Sequence, residues 1–152
     1  MFTDAEKAFL GTVAQPGEAG LARIATSTND GQPHVVPLRA RLNETGDKVL
    51  VLGNEMARSY KYRQVQKNPR VAIVWDIEIP GPPRQIKGIE VRGTAVIKQD
   101  PGAADPHFEV TPSKVFSWSI NEIAAESFQK KMGMTMEHHR RPGSGNIGAR
   151  SE

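Results

Sequence analysis

Short alternating segments joined by tight turns constrain the fold of this chain more than any other feature. Residues 21–26 alternate apolar and polar side chains, and the turn Asn29-Asp30-Gly31-Gln32 separates them from a second such segment at 34–42. The glycine of that turn suits the positive backbone angle of a β-hairpin. Parallel strands need crossover connections of a dozen or more residues. Most connections here are shorter, so the sequence predicts antiparallel β-structure.

The rest of the chain extends this pattern. Further strands are predicted at 48–53, 71–77, 88–97 and 108–118. A helix is predicted at 3–14, because Thr3-Asp4-Ala5-Glu6 has the spacing of a capping box. A second helix is predicted at 57–68, where it ends at Asn68-Pro69. The predicted fold class is mainly β: a six- to seven-stranded antiparallel barrel with flanking helices.

Composition limits the other possibilities. The 152 residues fit one domain, which we assign to 1–132, with a helix at 121–132 and a polar, basic tail at 133–152 that we expect to be flexible. Cysteine is absent, which excludes disulfides and thiolate metal sites. No apolar run approaches the roughly 20 residues of a membrane span, and no signal peptide is evident. We therefore expect a cytoplasmic protein without a membrane partner.

The second helix carries the clearest candidate site. Ser59, Lys61 and Arg63 lie near its start, where free backbone N–H groups and the helix dipole favour an anion. This pattern favours a phosphate site, and a solvated basic helix face is the alternative. Basic clusters alone do not indicate nucleic-acid binding, because interleaved surface aromatics are lacking. His138 and His139 lack further donors at metal-ligand spacing, so no metal is predicted.

Six segments in order resemble one known family. The chain is similar to the pyridoxamine 5′-phosphate oxidase-like split β-barrel proteins that bind FMN. Within that superfamily it most resembles the small actinobacterial members that use the deazaflavin coenzyme F-420. The resemblance covers roughly residues 2–120 and rests on the segments 21–26, 30–37, 58–63, 68–72, 88–95 and 115–118.

The resemblance implies a homodimer with two cofactor sites at the subunit interface. The cofactor ring would lie along the strand around Val36, Pro37 and Leu38, where the backbone can bond to the ring edge. The resemblance places the phosphate at Ser59, Lys61 and Arg63, with Tyr60 beside them. Gly53 and Asn54 would flank the ring or its ribityl chain, or simply form a strand-ending turn. These residues make up the predicted cofactor site: Val36, Pro37, Leu38, Gly53, Asn54, Ser59, Tyr60, Lys61 and Arg63.

The implied function is an F-420-dependent oxidoreductase that transfers a hydride between the reduced cofactor and a small acceptor, such as an activated alkene or quinone. An FMN-dependent oxidoreductase or flavin reductase of the same fold is the first alternative. A non-catalytic flavin, deazaflavin or haem binding protein is the second. No catalytic residue is identified, and Tyr60, Tyr62 and solvent are all open as proton donors. His34 could face the cofactor or a substrate, or lie at the surface.

Overall fold

The computed structural model describes residues 1–13 and 20–120. Two helices and six strands form its framework, with a single 3₁₀ turn at Met56–Arg58. In chain order the elements are α1 (Asp4–Val13), β1 (Gly20–Ser27), β2 (Pro33–Leu42), β3 (Val49–Leu52), α2 (Tyr60–Lys67), β4 (Arg70–Ile79), β5 (Gln85–Lys98) and β6 (His107–Trp118). The helix predicted at 121–132 and the tail predicted at 133–152 lie outside the described residues.

The six strands form one closed antiparallel barrel in the order β1-β2-β3-β6-β5-β4. Closure comes from β1 and β4, which pair Ile24 with Ile73 and Ala25 with Ala72. Alternate side chains point inward, because successive residues of a strand face opposite sides of a sheet. Ile24, Val49 and Phe108 are fully buried in the resulting core. The predicted barrel and its antiparallel strands are confirmed.

Helix α1 is attached to the barrel through a buried carboxylate. The Thr3 backbone N–H donates to Glu6 Oε2 at 2.8 Å, and the Glu6 N–H donates to Thr3 Oγ1 at 3.3 Å. The predicted capping box is therefore present. Ser117 Oγ of β6 also donates to Glu6 Oε1 at 2.8 Å, and Glu6 is fully buried. One side chain thus caps the helix and joins it to a strand from the far end of the chain.

The short strand β3 leaves part of β2 unpaired. β1 pairs with β2 along Pro33–Ala40, whereas β3 pairs only with the four residues Arg39–Leu42. The segment predicted as a strand at 48–53 is shortened because the chain turns at Asn54. Within the described residues, no strand pairs with the second edge of β2 from Pro33 to Leu38. We call this segment the free edge of β2.

The helix predicted at 57–68 is interrupted near its start. Ser59 has an extended backbone (φ −74°, ψ 153°), so the chain forms the 3₁₀ turn first and begins α2 at Tyr60. Asn68 ends α2, as expected for a residue before proline, which disfavours helical backbone angles. The helix lies between β3 and β4 in sequence and contacts β1 and β5.

Within residues 1–13 and 20–120, no helix is long and apolar enough to cross a membrane. The same residues contain no group of three or more His, Asp or Glu side chains arranged to hold a metal ion.

Gly88 of β5 tests how tightly the barrel is packed. A Cβ atom there would lie 2.7 Å from the Trp75 carbonyl oxygen and would overlap the Trp118 indole. We expect Gly88→Ala to lower the free energy of unfolding by about 1–3 kcal/mol, the usual cost of overpacking. Urea denaturation measures the change.

Gly11 provides the matched control for this substitution. It lies within α1, and no atom would lie within 4 Å of an added Cβ. Because alanine has a higher helix propensity than glycine, Gly11→Ala should raise the free energy of unfolding by up to about 1 kcal/mol. Equal effects of the two substitutions would contradict this account of the packing.

Candidate cofactor site

Ser59 caps the start of α2. Its hydroxyl accepts a hydrogen bond from the Tyr62 N–H at 3.3 Å and donates one to the Met56 carbonyl at 2.7 Å. The hydroxyl proton is therefore already used within the protein. A direct bond from Ser59 to a phosphate would require the bond to Met56 to break, so the observed geometry supports a capping role for this side chain.

Lys61 is a cation of this turn that has no carboxylate partner among the described residues. Its side chain is partly buried, and burial alone lowers the pKa of Lys61, with no carboxylate or hydrogen-bond partner offsetting it among the described residues. Tyr60 and Lys61 are also the first two residues of α2, so their backbone N–H groups have no acceptor within the helix. An anion at this turn would satisfy both the ammonium group and the free amides.

Arg63 belongs to a different face of α2 from Lys61. Residues two positions apart on a helix do not face each other. The Arg63 guanidinium lies 5.7 Å from the centroid of the Tyr60 ring, and its Nη1 donates to the Arg58 carbonyl at 3.1 Å. Tyr60 in turn packs against His34, with 4.9 Å between the ring centroids. Lys61 and Arg63, the two cations predicted to bind the phosphate, therefore lie on opposite sides of the first turn of α2.

Other cations of the segment are engaged or distant. Arg58 is highly exposed and forms an ion pair with Glu55 at 3.3 Å. Lys67 lies in the last turn of α2, at the opposite end from the phosphate candidates. Arg70 begins the next strand. The sequence analysis likewise did not place Arg58, Lys67 or Arg70 at the phosphate.

The free edge of β2 presents one backbone donor. In a strand, the N–H and C=O of one residue point to one edge and those of the next residue to the other. The Thr28 N–H bonds to the Gln32 carbonyl in the β1–β2 hairpin, and the Asn43 N–H bonds to the Lys48 carbonyl in the β2–β3 hairpin. Even-numbered residues of β2 thus direct their backbone groups toward β1, and odd-numbered ones toward the free edge.

This alternation corrects part of the predicted ring contact. Val36 and Leu38 direct their backbone groups toward β1 and their side chains inward, so neither offers the ring a backbone bond. Pro37 directs its carbonyl to the free edge but has no N–H. Pro33 likewise contributes only an acceptor, which leaves Val35 as the donor of this edge.

Val35 is thus a candidate that the sequence prediction missed. The signal was present in the sequence, because prolines at 33 and 37 are tolerated in a strand only where their nitrogens face an unpaired edge. Their spacing of four places both nitrogens on the same edge, with Val35 between them.

Gly53 and Asn54 lie where β3 ends. Extending the β2–β3 register by one residue would bring Gly53 opposite Leu38, next to the free edge. The chain then turns at Asn54, which is exposed. A Cβ on Gly53 would lie 3.2 Å from the flexible end of Met56, so the packing here is close but adjustable. The position fits both a ligand-flanking role and a strand-ending turn.

A groove lies on the outer face of the barrel. This groove has a volume of about 250 Å³, an apolar floor and a charged rim, and it includes the exposed side chain of Val35. Its lining residues are Arg23, Ala25, Val35, Ala72, Ile73, Val74, Glu90 and Trp118. The groove therefore adjoins the free edge of β2 through Val35.

Comparisons with known proteins agree with this architecture. A reductase from Streptomyces rimosus, named 5a,11a-dehydrotetracycline/5a,11a-dehydrooxytetracycline reductase, is 32% identical over 107 residues, which are 66% of this chain and 75% of the relative. The conserved hypothetical protein Rv2991 from Mycobacterium tuberculosis superposes with a TM-score of 0.61 at 16% identity, covering 95% of this chain and 94% of the other.

A further solved structure shares the fold. The FAD binding protein from Mycobacterium smegmatis superposes with a TM-score of 0.53 at 22% identity, covering 75% of this chain and 91% of the other. The family model described as pyridoxamine 5′-phosphate oxidase matches residues 2–137, most of the chain. The chain therefore belongs to the pyridoxamine 5′-phosphate oxidase family of split β-barrel proteins.

Proposed function

We propose that this protein is an oxidoreductase that binds the deazaflavin F-420 and transfers a hydride from the reduced cofactor to a small organic acceptor, such as an activated alkene or a quinone. The reductase from Streptomyces rimosus supports the reaction class, because it is 32% identical over most of its length. The family assignment supports a ring-and-phosphate cofactor.

One structural observation carries the proposal. The free edge of β2 and Lys61, a partly buried cation without a carboxylate partner among the described residues, both lie beside the segment that connects β3 to α2. The free edge of β2 offers the Val35 N–H, which can donate to a ring carbonyl of a pyrimidinedione, and the Val35 carbonyl, which can accept from the ring N–H beside it. Lys61 and the first amides of α2 suit the phosphate at the other end of such a cofactor.

These residues would act by binding and orientation. Val35 would fix the plane of the ring, while Lys61 and Arg63 would fix the phosphate and thereby the distance between the two ends. When bound, the reduced deazaflavin supplies the hydride. Tyr60 is half-exposed beside this turn, and its hydroxyl or solvent would supply a proton to the reduced acceptor.

A homodimer with the cofactor at the subunit interface is part of the proposal. Leu21 and Val35 are large apolar residues on the outer face, with 61% and 60% of their surfaces exposed. A partner subunit packed over them would cover apolar surface that is otherwise in water. It would also close the groove beside Val35 and so exclude water from the reacting ring.

FMN is the alternative cofactor. It shares the pyrimidinedione edge and the phosphate with F-420, so the contacts proposed for Val35 and Lys61 would serve either molecule. A role in cofactor binding without catalysis would use the same contacts and would differ only in turnover.

Titration of the purified protein with F-420 and with FMN, followed by absorbance, tests the proposed function. We expect stoichiometric F-420 binding, and oxidation of the reduced cofactor when an enone or quinone acceptor is added. Stoichiometric binding of FMN with no binding of F-420 would overturn the deazaflavin assignment. Binding without turnover of any acceptor would overturn the enzymatic one.

The two ends of the site can be tested separately. Lys61→Ala should weaken binding of F-420 or FMN about tenfold to a hundredfold, because hydrogen bonds to charged groups contribute about 1.5–3 kcal/mol. Binding of riboflavin, which lacks the phosphate, should not change. Calorimetric dissociation constants measure both effects.

Val35→Pro should weaken the binding of ligands with and without a phosphate alike, in contrast to Lys61→Ala. Removing the single donor of the free edge should weaken binding of riboflavin and FMN by similar factors, about two- to tenfold for one hydrogen bond. Val35→Thr keeps the backbone N–H and is the matched control.

If Lys61→Ala weakens the binding of riboflavin as much as that of FMN, the phosphate does not lie at Lys61.

A further inference from the structure

Four side chains form a polar corner beneath the first turn of α2: Thr26, His34, Tyr60 and Gln64. Thr26 and His34 are register partners on β1 and β2, and the Thr26 hydroxyl donates to Gln64 Oε1. The His34 ring contacts Tyr60 in an edge-to-face arrangement, with an interplanar angle of 89°. The corner therefore joins the turn end of the β1–β2 hairpin to the start of α2.

Two atoms of the polar corner are costly to the fold. His34 Nδ1 and Gln64 Nε2 are buried and have no hydrogen-bond partner among the described residues. His34 belongs to the inward row of β2, where the next two members are Val36 and Leu38. An apolar side chain would fit this row without burying an unpartnered nitrogen. Departures of this kind are expected at functional sites, where local stability is given up for another property.

The contacts of His34 lead to the candidate phosphate site. The electron-rich face of an aromatic ring attracts both the edge of another ring and a cation. Tyr60 makes an edge-to-face contact with the His34 ring, with 4.9 Å between the centroids, and a cation–π contact with the Arg63 guanidinium at 5.7 Å. Tyr60 is 45% exposed, and these two contacts restrict its ring.

We propose that His34 is a positioning residue of the phosphate site, which holds the Tyr60 ring in place and thereby holds the Arg63 guanidinium beside the start of α2. The proposal rests on the proposed function, because it assigns Arg63 to the cofactor phosphate. His34 itself contacts neither the phosphate nor the reacting ring. An edge-to-face contact between two rings holds the tyrosine more firmly than an aliphatic side chain at position 34 would.

A double-mutant cycle tests this role. Dissociation constants for F-420, with FMN in parallel, are measured for the wild type, His34→Ala, Arg63→Ala and the double variant. We expect His34→Ala to weaken binding about five- to twentyfold in the wild-type background and less than twofold in the Arg63→Ala background. This non-additivity is the signature of a residue that acts through another.

Two further variants separate positioning from a general loss of stability. His34→Phe keeps the edge-to-face contact without the buried nitrogen, so it should melt at a higher temperature than His34→Ala and keep binding within about threefold of the wild type. Gln64→Met removes the acceptor of the Thr26 hydroxyl in the same corner and keeps the His34 ring, and should leave binding unchanged. Weakening by Gln64→Met equal to that by His34→Ala would overturn the proposal.

A ligand-free measurement completes the test. The chain has only two tyrosines, so 3-fluorotyrosine labelling gives two ¹⁹F resonances, which Tyr60→Phe assigns. His34→Ala should move the Tyr60 resonance toward its position in the unfolded chain and leave that of Tyr62 in place. An unmoved Tyr60 resonance, or additive effects in the cycle, would overturn this inference alone. A wild-type protein that binds neither cofactor would overturn the proposed function as well.

Discussion

The unequal length of two neighbouring strands determines where this barrel can bind a ligand. β2 has ten residues and β3 has four, so more than half of β2 lacks a partner strand on one edge. An unpaired edge presents backbone groups that must bond to something, and natural sheets usually cover or block such edges. Here prolines at 33 and 37 remove two donors and leave one, at Val35. The edge is thereby protected against pairing with another strand while it keeps a single specific bonding position.

The end of β3 also fixes the second half of the candidate site. Because the strand stops at Leu52, the chain turns immediately and starts α2 through the cap at Ser59. The free amides of that helix and the uncompensated ammonium of Lys61 therefore follow soon after the end of β3, and the contact between Tyr60 and His34 brings the start of α2 next to β2. The early end of β3 thus has two effects. It exposes the edge of β2 that suits a ring, and it is followed by the start of α2 that suits a phosphate.

The sequence predicted the strand segments, the hairpin at Gly31, the capping box of Thr3 and Glu6 and the general position of α2, because these depend on local patterns of apolar residues, turns and caps. It did not predict which backbone groups face the free edge, since this depends on the hairpin registers. The bond from the Ser59 hydroxyl to the Met56 carbonyl has no sequence signature, so the sequence could not show that this hydroxyl is already engaged. The contact between His34 and Tyr60 joins residues far apart in sequence and could only be seen in three dimensions.

The central claim is that one ligand spans the free edge of β2 and the start of α2. Two-dimensional ¹⁵N–¹H spectra recorded during an F-420 titration test it most directly, because Val35 and Lys61 report on the two ends through their backbone amides. The account predicts that both resonances shift with the same dissociation constant, while amides on the far side of the barrel, such as that of Val96, stay in place. Shifts at only one of the two ends, or different dissociation constants for the two, would contradict it.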